Sequence, residues 1–456
     1  MNRQIDEIAD IISAQRSGRG SYTINRVSID SRQSGPGTLF FALPGTRYDG
    51  HEFVPEVLEK GGAAVVNHLV PDVDTSRLLV VPEVAAALQN LARYHRLASE
   101  VKVIAVTGSV GKTTTKDMIA AILSSSHECL KSEGNYNNEL GLPLTLLALQ
   151  DEHRMAVVEM GMRGRGQIAQ LAHIAAPDIA VITNIAPVHL ELLGSVEKIA
   201  QAKCEVLDYL NPRGFALING DIALLKEEAI RHDALVYTFG RGEENDIRLV
   251  QTSEVPEGLV LRCRIFEEEE ELFIPLLSEN LALNVLAAAA VGRQLGVPWT
   301  TMADVLNRFA PGGHRLRNVE IGGNVTVIDD CYNANPLSMV AGLQVLARQK
   351  RGRQAVSVLG DMMELGSLEK EAHLQVGREA ARLADRLITV GSRARWYAEG
   401  AIQADMPPHR IDMFESNGQA ISFIKQYVNA DAAILIKGSR SMQMEEIVAA
   451  LIGRKI

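Results

Sequence analysis

Four apolar runs of strand length, VKVIAVTG, MAVVEMG, DIAVITN and GFALING, follow one another between residues 101 and 220, each closing on glycine, asparagine or an acid. Helical patterns separate them. A strand covered on both faces needs continuous hydrophobicity, so this rhythm commits the segment to a parallel sheet with crossover helices. The rhythm restarts at Val325 with VTVIDD, AVSVLGD, RLITVG and AAILIKG, which reads as a second, separate α/β domain. Ligands of such sheets bind in loops at the carboxyl ends of the strands.

The flanking segments behave differently. The first hundred residues hold short strands (TLFFAL, AAVV), the turn PGTRYDG and a helix from about Glu83 to Leu97. Strands in hairpin order are expected from about 246 to 276, with the run Glu267 to Glu271 as a solvated turn between two of them. A long helix, SENLALNVLAAAAVGRQL, then leads to the glycine-rich break PGGHR. A chain of 456 residues is too long for one ordinary core. The expected division is 1–99, 100–312 and 313–456: a small N-terminal α/β domain, a central parallel-sheet domain and a C-terminal Rossmann-like domain.

A net charge of -10 argues against a broad nucleic-acid or acidic-membrane surface but leaves room for a local cationic pocket. Cys129, Cys204, Cys263 and Cys331 are scattered without a CxxC, which suits a reducing compartment. The N-terminus carries acids where a signal peptide needs an apolar run, and the longest apolar stretch is interrupted by Asn284, so a cytoplasmic protein without a membrane span is expected.

The strongest local signal is TGSVGKTTTK, Thr107 to Lys116, set between a strand and a helix. Gly108 and Gly111 let the backbone of Thr107, Ser109, Val110 and Thr114 bend around phosphate oxygens; Lys112 reaches the outer phosphates and the Thr113 hydroxyl can ligate Mg²⁺. The longer phosphate-loop pattern wants glycine at position 106, where this chain has Val106. Glu159 closes the strand MAVVEM and reads either as a magnesium ligand or as a helix-capping acid; His189, after ITN and Asn184, reads as a ligand or as a structural histidine. Lys203 lies on the apolar stripe of a helix begun by Ser195 and marked by Val196, Ile199, Ala200, Val206, Leu207 and Leu210. Either it snorkels to the helix edge, or its amine is neutral and takes up CO₂ to become a carbamate, an oxygen ligand for Mg²⁺.

These motifs together resemble one family. TGSVGKTT, VVEMG, TNIAPVHLELLGS, the lysine of IAQAKCEVL, LSENLALNVLAA, PGGHR and DDCYNANPLSM are similar, in that order, to the motifs of the Mur ligases, which build the peptidoglycan peptide. DDCYNANPLSM, LGDMMELG and KGSRSMQMEE look like the branch that adds D-alanyl-D-alanine to UDP-N-acetylmuramoyl-tripeptide, and DSRQSGPGTLFFALPGTRYDGHEF resembles its UDP-binding domain. The resemblance implies ATP-dependent ligation through an acyl phosphate, with ATP and two Mg²⁺ as cofactors, in a monomer. It puts a carbamylated lysine at Lys203, one ion on Thr113 and Glu159, and a second on His189 and Lys203. It implies nucleotide contacts from Asn280, Asn284, Arg315 and Asp330, and UDP-sugar contacts from Asn135 and Asn138. Ser31 and Thr46 would lie near the uridine, and Asp361, Ser439 and Arg440 toward the dipeptide or nucleotide. These ligases resemble one another in TGxxGK, which accommodates Val106; Val188 stands where some relatives have Asp. The rival readings are a single-amino-acid-adding Mur ligase, a folate polyglutamate ligase, and, from another class, a GTPase-like switch. A guanine-reading NKxD would mark the switch, and the chain has no Asn-Lys pair.

Overall fold

The computed structural model describes residues 1–453 except 17, 19, 20, 46, 47, 187–192, 256, 276, 277 and 428–430. The architecture is α/β in three domains, each built on a sheet. The chain packs as two compact units, Met1–Gly108 with Ile119–Thr183 and Ala200–Thr238, and Ser109–Met118 with Asn184–Ile199 and Phe239–Ile456.

The N-terminal sheet of the first unit holds β1 (Gln15–Arg16), β2 (Arg26–Ser28), β3 (Thr38–Phe41), β4 (Ala63–Val66) and β5 (Leu78–Val80). They lie in the order β1-β5-β4-β3-β2, parallel except for β1. Every residue of β3 and β4 is buried, as expected of central strands covered on both faces. Helix α1 (Val84–Leu97) is capped by Glu83, whose carboxylate accepts from the amides of Ala85 and Ala86. Near its end the buried Arg96 donates to the carbonyls of Ala175 and Ala176 and to Asp178, 2.9 Å away.

The expected parallel sheet follows with β6 (Lys102–Thr107), β7 (Cys129–Lys131), β8 (Met155–Glu159), β9 (Ile179–Ile182) and β10 (Phe215–Asn219). Their order is β10-β9-β6-β8-β7, so β6 is central and its carboxyl end is flanked by those of β8 and β9. Helix α2 (Lys112–Ser124) leaves the loop after β6. Helix α3 (Val196–Cys204) carries Lys203 and passes into a 3₁₀ turn over Glu205–Tyr209, rather than continuing as one α-helix.

In the second unit, β12 (Ile247–Val255), β13 (Gly258–Ile265) and β14 (Glu268–Ile274) form an antiparallel meander after β11 (Val236–Gly240). This corrects the expectation for the glutamate run: only Glu267 is in the turn, and Glu268 to Glu271 lie in β14. Those four residues are exposed on an edge strand, where charge discourages pairing with another sheet, and Glu268 and Glu269 pair with Arg293 and Arg262. Helix α4 (Glu279–Gln294) follows.

The C-terminal sheet contains β15 (Arg317–Glu320), β16 (Thr326–Asp329), β17 (Gln354–Gly360), β18 (Arg386–Val390), β19 (Ile411–Phe414) and β20 (Ala432–Lys437). The order is β15-β16-β20-β17-β18-β19, parallel except for β15. Alternate residues of its strands face two separate cores, one around Ile328, Leu359 and Leu435 and one around Val327, Val358 and Ile436. Helix α5 (Pro336–Gln349) starts at a capping box formed by Asn335 and Ser338.

Candidate active site

The glycine loop is bent as its sequence requires. Gly108 and Gly111 have φ of 144° and 84°, and α2 begins at Lys112. The loop is tied down by the segment after β9: Ser109 donates its amide to the Asn184 carbonyl at 3.0 Å, and Val110 donates to Asn184 Oδ1 at 2.8 Å. The Ser109 hydroxyl also accepts from the Ala186 amide at 3.0 Å. A Cβ on Gly111 would stand 2.8 Å from the amide group of Asn284, so the helix α4 asparagine packs directly on the loop. Thr113 and Thr114 are buried in the first turn of α2, and Thr107 donates its hydroxyl to the Met160 carbonyl at 2.9 Å. A bent glycine loop feeding a helix N-terminus is suited to bind phosphate.

Glu159 is buried at the end of β8, where Asn137 Nδ2 donates to its carboxylate at 2.8 Å and its own amide donates to Ser132 Oγ at 3.3 Å. Lys203 is only 3% exposed, on a helix whose Ile199, Ala200 and Ala202 are also buried. Ser195 accepts from the Lys198 amide at 3.3 Å, in keeping with the expected cap. His189 and Thr46 lie outside the described residues, as does the side chain of Asn280.

Of the asparagines in EGNYNNELG, Asn135 is exposed and Asn138 accepts at Oδ1 from the Gly141 amide at 2.8 Å, just ahead of the helix Gly141–Leu147. Asn137, the one that reaches Glu159, was not singled out by sequence reasoning; the asparagine-rich loop was the available signal. Ser31 opens a 3₁₀ turn capped by Asp30.

In the C-terminal domain, Asp330 is buried against Lys437, with Lys437 Nζ 2.7 Å from Asp330 Oδ2. Burial pushes the Asp330 carboxyl above the usual carboxylate range, with Lys437 pulling the other way. The Arg315 guanidinium stacks 3.7 Å from the centre of the Tyr332 ring. Asp361 is buried, accepts from the Ala394 amide at 2.6 Å, and has its carboxyl raised by burial against the pull of the Arg393 and Ala394 amides. Ser439 donates its amide to the Asp361 carbonyl at 3.0 Å and accepts at Oγ from the Met363 amide at 2.9 Å, so these two are brought together. Arg440 is exposed and paired with Glu445 at 2.6 Å.

Comparison with known proteins gives the class. The description "Mur ligase family, catalytic domain" matches residues 23–106, "Mur ligase middle domain" matches 106–292, and "Mur ligase, glutamate ligase domain" matches 314–440. The chain belongs to the Mur ligase family. Within it, the chain is similar to a UDP-N-acetylmuramoyl-tripeptide–D-alanyl-D-alanine ligase of Bacillus subtilis, 37% identical over 432 residues that cover 94% of this chain and 93% of the relative. A crystal structure of MurF from Acinetobacter baumannii superposes with a TM-score of 0.89 at 32% identity, covering 100% of this chain and 99% of that one. MurF from Thermotoga maritima in complex with ADP superposes at 0.83 with 27% identity, covering 94% and 97%.

Proposed function

We propose that this chain joins D-alanyl-D-alanine to UDP-N-acetylmuramoyl-tripeptide, converting ATP to ADP and phosphate and completing the pentapeptide precursor of peptidoglycan. The observation that carries the reading is likeness to dipeptide-adding ligases over nearly the whole chain. The proposed division is a UDP-precursor-binding domain to about residue 99, an ATP-binding domain to about 312 and a ligase domain beyond it.

The chain's own groups fit the chemistry. The glycine loop and the N-terminus of α2 suit a triphosphate, and Lys112 there offsets charge on the transferred phosphoryl group. The buried Thr113 hydroxyl and Glu159 carboxylate are hard oxygen donors of the kind magnesium takes. With His189 and a carbamate on the buried Lys203, they would hold two ions, whose charge would offset the repulsion between the tripeptide carboxylate and the triphosphate. That carboxylate attacks the γ-phosphorus and ADP leaves; the dipeptide amine then attacks the acyl carbon, the C–N bond forms and phosphate leaves. Asn280, Asn284, Arg315 and Asp330 are assigned to the nucleotide, Ser31, Thr46, Asn135 and Asn138 to the UDP-sugar, and Asp361, Ser439 and Arg440 to the dipeptide end. The reading carries with it a monomer working in the cytoplasm; the four free cysteines suit a reducing compartment.

Phosphate release from Mg-ATP tests the function. Release that needs both UDP-N-acetylmuramoyl-tripeptide and D-alanyl-D-alanine is expected. Release driven by a single amino acid would move the chain to a sister branch, and release that ignores every acceptor would sink the ligase reading.

A further inference from the structure

The short segment between the central and C-terminal sheets has an unusual backbone. Gly313, His314 and Leu316 have φ of 65°, 58° and 48°, so two side-chain-bearing residues stand in the left-handed region on either side of Arg315. Leucine is seldom found there, and such a conformation persists only where the surroundings enforce it. Here they do. The His314 carbonyl accepts from the Tyr332 amide at 3.1 Å, and its ring Nδ1 is 2.7 Å from Asp329 Oδ2. The Leu316 amide donates to Asp330 Oδ1 at 3.2 Å, and its side chain packs against the core around Leu343 and Leu435.

The pin on Leu316 is itself held by one buried cation. Lys437, the last residue of β20 and 2% exposed, places Nζ 2.7 Å from Asp330 Oδ2 and donates to the Asn333 carbonyl at 2.8 Å. Room for its stem is left by Gly342 of α5, where a Cβ would stand 3.4 Å from Lys437 Cδ. A buried ion pair adds little stability over apolar packing in the same slot, but here the two bonds of Lys437 Nζ tie the Asp330 carboxylate to the Asn333 carbonyl. That geometry orders Asp330, the loop to Asn333 and the backbone on which Arg315 lies over Tyr332.

We infer that Lys437 is a positioning residue: it holds Asp330 and, through it, the left-handed backbone that aims Arg315 at the nucleotide. This rests on the reading above, in which Arg315 and Asp330 touch the nucleotide.

The test measures ADP binding by calorimetry, steady-state KM values, and hydrogen exchange of the Leu316 amide on the full chain. For Lys437→Met, ADP binding weaker by about tenfold is expected, the size of one lost charged hydrogen bond. KM for ATP rises with it, KM for the dipeptide holds, Leu316 exchanges faster, and Lys437→Arg recovers much of the loss. A fall in kcat alone, with ADP affinity unchanged, overturns the proposal. Arg315→Ala separates the two claims. If it weakens ADP while Lys437→Met does not, the positioning role is wrong. If Arg315→Ala leaves ADP binding intact, the nucleotide assignment fails, and unchanged Leu316 exchange in Lys437→Met then removes the pin as well. Should Lys437→Met not fold, rapid Leu316 exchange in the wild-type protein overturns the pin.

Discussion

Gly111 carries two constraints at once: a φ of 84° and an approach to Asn284 that leaves no room for a methyl group. Alanine there would cost about 1–2 kcal/mol for the backbone alone, before any displacement of Asn284. Gly111→Ala is therefore expected to weaken ADP binding at least tenfold by calorimetry, while the melting temperature moves little. Lys203 makes a second residue-scale case, since its burial on an apolar face is what the carbamate reading requires. Lys203→Ala should nearly abolish ligation, with partial return on adding a short-chain carboxylic acid and none on adding bicarbonate. Full activity in that variant would end the carbamate proposal. Asn137, in contrast, acts through a distant partner that only its asparagine-rich loop hinted at, and Asn184, legible as the end of the strand ITN, takes its bond to the glycine loop only in the fold.

At the scale of elements, the loop LGDMMELG shows how a buried side chain can tie a strand end to a helix. His373, on the helix Glu369–Leu383, contacts the Glu369 carbonyl through Nδ1 at 2.6 Å and accepts from the Met362 amide at Nε2, 3.1 Å away. The second bond needs a neutral ring, and burial holds the imidazole below its ordinary 6.5. A folded-state pKa below the unfolded one contributes stability that is present above pH 6.5 and is lost as pH falls below it. Protection of the Met362 amide, taken relative to its intrinsic exchange rate at each pH, should fall below that point in wild-type protein, and in a His373→Gln variant the protection should not change with pH. Protection of Met362 that holds constant on acidification in wild type would contradict this. The glutamate run of β14 illustrates the opposite limit: an edge strand charged on both faces has no hydrophobic period to read, so it looks like a turn until pairing with β13 defines it.

For the whole molecule, the C-terminal sheet supplies a complete structure of its own. All six strands fall between Arg317 and Lys437, and two apolar cores cover its faces. A fragment of residues 313–456 is thus expected to fold alone, giving one cooperative thermal transition; a featureless melt would argue that the proposed boundary near 313 is misplaced.

The parallel strands, their crossover helices and the glycine loop were legible because each depends on a local period or a short spacing that survives in one dimension. So were the burial of Lys203, which follows from its place on an apolar stripe, and the family likeness. Short strands such as Arg317–Glu320 and Ile411–Phe414 were not, since four residues hold too little pattern without their neighbours. The sequence by itself therefore determined the class of fold, the phosphate loop and most candidate residues. Only the tertiary structure decided which polar groups meet: Asn137 with Glu159, Asn184 with the loop, and Lys437 with Asp330 across 107 positions. It alone put Leu316 in a left-handed conformation, because such a backbone is enforced by partners brought together from distant strands and not by any preference of the residue.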